Sequence, residues 1–482
     1  MTKLSIKNGL AGIKKYGSES ALFYPLTFAV ITFTALIPYY TEGAIILGGE
    51  GNVLINFSVH LQENLYLWVS RHGIGTVNLT PGSGSPFLFL LSGIQILTDS
   101  DRVPNFILVF SMFYLPFFGM YLFSRAVGAS RNIAFLVALF YRLNPYMQPF
   151  LTSLNQWNIF IASIIPLQSW ILIKYYKNGL KLFTFYGLLT AFFSLAYTNP
   201  PLYAVSQFSI FFSVSIISYF VNQKLMIGDM IRKWAIIFSS FLLFNAWWVW
   251  SQFYVIGDAL EFYSAQTAQT TRWLIETVHA IQAPVAKALA LSTIVPNPQF
   301  DFLGFYFNTA IGKVLTAVPF FLLAWVIFFT KRTKNLKLLL FISGLVLLSI
   351  FLSKGAGEPF GFVYMFLFKH VPLFNIFKTP IEKFGLLTLF FFSNLLLFTL
   401  LKLKNEKISK VPILIFSIYL IFCWVPMASG NILPRFEMGR YGEVTRKYID
   451  KPEYIYARES FYKDRLLYRG LLLPATGNYQ KL

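Results

Sequence analysis

Apolar residues run along this chain in blocks of about 20, and polar residues gather in the gaps between the blocks. A helix rises about 1.5 Å per residue, so a block of that length matches a hydrocarbon core about 30 Å thick. Eleven blocks are predicted to cross a membrane: 21–40, 105–124, 132–151, 156–173, 182–198, 201–221, 234–254, 310–330, 338–353, 384–402 and 411–428. The apolar piece Phe87–Leu97 is too short to cross and is read as interfacial or re-entrant. Were it to cross, the sidedness of every later loop would invert.

The charges then fix a direction. Twenty of the 40 Lys and Arg residues fall in alternate gaps, Lys3 to Lys15, Arg125 and Arg131, Lys174 to Lys181, Lys224 to Lys233, Lys331 to Lys337 and Lys402 to Lys410. Those gaps hold only Glu19, Asp229 and Glu406 as acids, and they are short. A bias of cations to one side marks the cytoplasmic face, which puts the N-terminus inside and the C-terminus outside. The expected architecture is an all-α polytopic membrane protein of about 11 spans. Residues 1–428 form its transmembrane domain, with outer loops 41–104, 255–309 and 354–383, and residues 429–482 form an outer tail.

Composition narrows the class. At 56% hydrophobic residues in such long runs, the chain has no soluble counterpart. Its net charge of +20 is accounted for mostly by the one-sided cations, so it does not argue for nucleic acid as a partner. Block 21–40 is too long for a signal-peptide core and no small-residue cleavage site follows, so it reads as an uncleaved anchor. The single cysteine, Cys423, lies in the last block and forms no disulfide within the chain. Aromatic residues make up 19%, and Trp247, Trp248 and Trp250 suit a headgroup belt or a sugar-stacking platform.

Polar chemistry concentrates in the outer loops. Loop 41–104 carries Glu42 and then Glu50 between Gly48, Gly49 and Gly51, where the backbone turns tightly and approaches a ligand closely. A helix is predicted over Val53–Val69. Loop 255–309 carries Arg272, Glu276 and His279 without metal-ligand spacing, and reads as a solvated loop. Loop 354–383 is denser, opening on Lys354, Gly355 and Glu358, and its Lys378 and Lys383 sit near the outer end of the tenth span, where ammonium groups reach an anionic headgroup or simply anchor the helix. Arg142 is the one charge well inside a span, and near Pro145 it either snorkels outward or contacts a phosphate. Asn155 and Gln156 follow on the same side, as helix caps or as ligands of sugar hydroxyls.

The glycine-flanked acid, then Ser353-Lys354-Gly355 with Pro359-Phe360-Gly361, then Phe377-Lys378-Thr379-Pro380-Ile381-Glu382-Lys383-Phe384-Gly385, resembles the GT-C membrane glycosyltransferases that include the mycobacterial arabinofuranosyltransferase group. The similarity runs from about residue 20 to 470, and its last motif is the most specific. The resemblance implies an enzyme of the prokaryotic plasma membrane that moves a sugar from a polyprenyl-phosphate donor to a glycan, glycolipid or protein acceptor at the outer face. By position, Glu50 takes the role of catalytic base, although relatives more often have Asp there. Lys378 stands where relatives tend to have Arg, and a point charge replaces a bidentate fork.

The chemistry suits these groups on its own terms. Displacing a sugar from a lipid phosphate needs a base beside the acceptor hydroxyl and cations on the departing phosphate. Lys378, Lys383 and Arg142 supply the cations; Glu42, Asn155, Gln156, Arg272 and Glu358 are candidate sugar or acceptor contacts. A donor that cannot leave the bilayer, among the other membrane lipids, explains a site beside spans. No metal site is expected from four scattered histidines, and whether Mg2+ or Mn2+ assists is open. The competing readings are a lipid-linked glycan flippase or polysaccharide transporter and a noncatalytic assembly subunit. The apolar run Leu466–Pro474 lacks partners for a sheet, so the tail is expected to be the start of an outer domain that is truncated or encoded elsewhere.

Overall fold

A computed structural model of the chain describes residues 23–40, 85–152, 155–197, 199–222, 227–250, 309–321, 336–403 and 410–428, with short pieces at 45–46, 57–58, 61, 68–69, 76–77, 275–279, 306–307, 324 and 445–446. The described elements are overwhelmingly helical. In chain order they include α1 (Phe23–Tyr40), α2 (Ser85–Thr98), α3 (Arg102–Ala126), α4 (Arg131–Leu143), α5 (Met147–Thr152), α6 (Gln156–Tyr175) and α7 (Gly179–Phe192). These are followed by α8 (Pro200–Asn222), α9 (Ile227–Phe244), α10 (Ala310–Thr316), α11 (Leu336–Ser353), α12 (Gly361–His370), α13 (Pro380–Leu403) and α14 (Lys410–Ala428).

Each of the eleven apolar blocks coincides with a described helix over at least part of its length. Among the described residues, Arg102–Ala126, Gln156–Tyr175 and Pro380–Leu401 are long and apolar enough to cross a membrane, and shorter apolar helices surround them. Among the described residues several blocks are broken, 234–254 at Asn245 and 310–330 at Ala317 among them. Block 132–151 splits into α4 and α5 because Asn144 leaves the helical conformation and Pro145 has no N–H to continue the ladder. Block 182–198 ends as a helix at Phe192, and a 3-10 turn at Ser194–Tyr197 leads to Pro200. The predicted helix over Val53–Val69 does not reach its end: Trp68–Val69 is a strand paired antiparallel to Thr76–Val77, in keeping with the β preference of aromatic and β-branched residues.

Small residues let the central helices approach closely, as they do where lipid removes the hydrophobic drive for association. A Cβ on Gly119 of α3 would stand 2.9 Å from the Ser163 carbonyl oxygen of α6. Side-chain contacts define the two ends of the bundle. At one end Tyr24 of α1 donates to Asn132 of α4 (2.7 Å), and the Tyr176 hydroxyl after α6 donates to Asp229 of α9. Arg125, Arg131, Lys174, Lys177, Lys181, Arg232 and Lys233 lie at the helix termini of that end. At the other end Tyr40 of α1 donates to Asn105 of α3 (2.7 Å), the α4–α5 turn meets the start of α13, and Gln148 Nε2 donates to the Cys423 carbonyl near the end of α14 (2.7 Å). Ile45–Ile46, which opens the first long loop, pairs antiparallel with Thr445–Arg446 of the tail. The loop and the tail therefore meet on one side.

Candidate functional site at the end of the bundle where α4 stops and α13 begins

Arg142 sits in the last turn of α4 and is 0% exposed. Its Nε donates to the Phe113 carbonyl of α3 (2.7 Å), and its guanidinium lies over the Phe113 ring, 4.6 Å from the centroid. Both Nη atoms are buried without a hydrogen-bond partner. The outward snorkelling considered from sequence does not occur, because α3 packs over α4 at this level and offers a carbonyl to a side chain that points inward. Other buried polar groups at this end share the condition: Asn158 of α6 is fully buried with neither amide atom bonded, and Gln148 Oε1 is also unbonded. A buried guanidinium with two free nitrogens is costly in a low-dielectric interior and is an attractive partner for an anion.

The turn after Arg142 is tightly specified. Asn144 Oδ1 accepts from the N–H groups of Tyr146 (2.9 Å) and Met147 (3.1 Å), while its Nδ2 donates to the carbonyls of Phe140 (3.0 Å) and Tyr141 (2.8 Å). Asn thus ends one helix and starts the next, as its short amide favours. Asn155 Oδ1 then accepts from Asn158 N (3.2 Å) and caps α6. Gln156 opens the same helix, buried.

Three lysines gather around Pro380, the first residue of α13. Lys383 is buried in the first turn, its ammonium 3.6 Å from the Glu382 carboxylate. Lys378 is half-buried immediately after the 3-10 turn Phe374–Phe377. Lys354, at the end of α11, is buried and donates to the Gly357 carbonyl (2.5 Å) with its ammonium 4.9 Å from the Phe351 ring centroid. Burial holds the Lys354 ammonium below the ordinary lysine pKa, and the exposed Glu358 carboxylate partly offsets this. Gly355 makes the packing feasible: its φ is +63°, and a Cβ there would stand 2.4 Å from Pro380 Cγ. The N-terminal end of a long helix adds its own positive field to these cations.

An apolar cleft of about 190 Å³ opens beside them between α8, α11 and α13. Phe208, Phe212, Leu345 and Leu348 line it, together with Phe377 and Phe384, the sequence neighbours of Lys378 and Lys383. An aromatic knot fixes this wall: the Phe377 and Phe384 ring centroids are 4.6 Å apart, and Tyr364 of α12 donates to the Phe377 carbonyl (2.6 Å).

The structure therefore brings the elements bearing Arg142, Asn155, Gln156, Glu358, Lys378 and Lys383 to one end of the bundle, the end at which the first loop leaves α1. Glu50, Glu42 and Arg272 lie outside the described residues. Sequence reading passed over Tyr146, Gln148, Asn158 and Lys354 as site components. Lys354 stood within the Ser353-Lys354-Gly355 motif, but as a loop lysine it gave no sign of burial. Among the described residues no group of three His, Cys, Asp or Glu is placed to hold a metal ion.

The fold of this helical bundle is similar to that of two solved chains. The likeness is to arabinofuranosyltransferase AftD from Mycobacteria, with a TM-score of 0.55 and 12% identity over 84% of this chain. A mutant form of AftD matches with a TM-score of 0.53 over the same share. The chain spans about a quarter of that protein, covering 27% and 28% of the two AftD chains. No protein-family model matches the sequence, and no curated protein matches it.

Proposed function

We propose that the chain is an integral-membrane glycosyltransferase that moves a sugar from a polyprenyl-phosphate donor to a glycan, glycolipid or protein acceptor at the outer face of a prokaryotic plasma membrane. The observation that carries this reading is Arg142, a buried guanidinium with both Nη atoms unbonded, at the bundle end where Lys378 and Lys383 flank an apolar cleft. Cations of this kind stabilise a departing phosphate, and the cleft suits the first isoprene units of a carrier that stays in the bilayer. The one-sided cations support a reading in which this end faces outside, with eleven spans and the N-terminus inside. The pairing of the first loop with the tail agrees with that sidedness.

Glu50 is assigned the base that accepts the proton of the acceptor hydroxyl as the glycosidic bond forms and the donor's phosphate–sugar bond breaks. Glu42, Asn155, Gln156, Arg272 and Glu358 are assigned to sugar and acceptor contacts, Asn155 in addition to its cap. A divalent cation, if one assists, would join the donor phosphate. The first donor to test carries arabinofuranose, because AftD is an arabinofuranosyltransferase. The full-length protein in proteoliposomes should transfer labelled sugar from the lipid donor, and Glu50→Gln should slow transfer by about 10²–10⁴-fold at normal expression. Transfer by Glu50→Gln at the unaltered rate would remove Glu50 from the base role, and no transfer from any polyprenyl-phosphate donor would remove the reading.

A further inference from the structure

We infer that Tyr146 is a positioning residue that sets the spacing between Arg142 and the lysines at the head of α13; the functional part of this inference rests on the glycosyltransferase reading above. Tyr146 is buried, and its hydroxyl stands 3.1 Å from the Ile381 carbonyl oxygen and 2.8 Å from that of Glu382. A single O–H thus serves two carbonyls in the first turn of α13. Those carbonyls lie between Lys378 and Lys383 in the chain, so the bond acts on the backbone that carries both ammonium groups.

The other side of the clamp runs to Arg142. The Tyr146 backbone N–H is held by Asn144 Oδ1, and the same amide donates to the carbonyls of Phe140 and Tyr141, the two residues before Arg142. Few covalent links separate each anchor from a cation, and each step is a short hydrogen bond. Gly385 completes the fit: a Cβ there would lie 2.3 Å from Tyr146 Cε2, so the ring lies flush against α13 only because that position has no side chain. Ring packing alone does not need the hydroxyl. Its two carbonyl partners, 235 and 236 residues away, tie together the two segments that carry the proposed phosphate ligands.

The test uses the full chain in lipid nanodiscs and farnesyl phosphate as the probe. Tyr146→Phe keeps the ring and removes the bond. It should weaken farnesyl phosphate binding about tenfold, the scale of one hydrogen bond near a charged group, and speed amide exchange over residues 380–387. Because the clamp acts through both lysines, adding Tyr146→Phe to a Lys378→Ala/Lys383→Ala background should weaken binding no further. Unchanged affinity in Tyr146→Phe alone, or a further loss when it is added to the double lysine variant, would overturn the inference. If the unsubstituted protein does not bind farnesyl phosphate, the donor reading fails. The exchange measurement still decides the clamp: faster exchange in Tyr146→Phe retains it, and unchanged exchange removes it.

Discussion

Around Gln168 of α6 every polar group of the side chain meets another side chain: Nε2 donates to the hydroxyls of Tyr186 (3.0 Å) and Tyr197 (2.6 Å), and Oε1 accepts from Ser206 (3.1 Å). Around Arg142, at the end of the neighbouring α4, one nitrogen is bonded and two are not, and Asn158 has neither amide atom bonded. Both clusters are fully buried in the same bundle. The Gln168 side chain is fully bonded and joins α6 to α7, to the 3-10 turn before α8 and to α8. This is the kind of interhelical bonding that holds membrane helices together. The second is open, and an open buried polar group is tolerated where a ligand completes it. On the proposed reading, the fully bonded groups serve the fold and the open ones serve the donor.

The sharpest way to break that contrast is to remove charge from the open cluster. Arg142→Met keeps length and apolar volume, and it relieves a buried charge that has no counter-ion among the described residues. Sugar transfer should fall by about 10²-fold, the usual effect of deleting one donor that stabilises developing charge. The thermal midpoint should hold or rise, because replacing a buried ion by an apolar residue is often neutral or stabilising. Activity assays beside thermal unfolding in the same nanodiscs check both. A variant that unfolds while its surviving molecules transfer at the normal rate would show that Arg142 belongs with the closed cluster instead.

Gln168→Leu applies the same logic in reverse. It removes the bonds to two tyrosine hydroxyls and from one serine hydroxyl in the buried interior. Interhelical hydrogen bonds in membranes average about 0.6 kcal/mol and reach about 1.7, so three of them predict a loss of about 2 kcal/mol. Transfer per folded molecule should stay unchanged. A loss of activity at full stability would mean that the hydroxyl-rich interior of α6, α7 and α8 takes part in the reaction.

How far the sequence revealed these regions depends on the range of the interactions involved. The helices were legible because a block of apolar residues is a local property, and the break after Arg142 was legible because Asn144-Pro145 carries its own stop signal. Arg142 itself was visible as a charge in a span. Whether it turned out or in was not, since the deciding partner, the Phe113 carbonyl, lies 29 residues away on another helix. Lys354 looked like a solvated loop lysine because its burial depends on Gly355 adopting a positive φ and fitting against Pro380. The closed cluster was invisible for a similar reason: Gln168, Tyr186 and Ser206 are unremarkable within their own helices and acquire meaning only where three helices meet. Tyr146 was silent because its partners are carbonyls, which carry no sequence signature.

Asn155 gives the smallest effect and the finest test, because it stands at the border between the two behaviours. Its Oδ1 accepts from Asn158 N and so serves the fold, yet it opens the helix that presents the unbonded amide of Asn158. Asn155→Ala should cost about 1 kcal/mol, the typical worth of an N-cap. Asn155→Asp keeps an oxygen for the cap and adds a negative charge that favours the helix N-terminus, so its stability should return to the original value or slightly above. Transfer discriminates the remaining role. If Asn155 only caps, activity follows stability and the aspartate variant is as active as the original protein. If its amide also meets a sugar hydroxyl or the donor phosphate, the aspartate variant is stable and slow, because a carboxylate offers no N–H and repels an anion. Equal stability with equal transfer would confine Asn155 to the fold and leave Arg142, Gln148 and Asn158, among the described residues of that end, with polar atoms that await a partner.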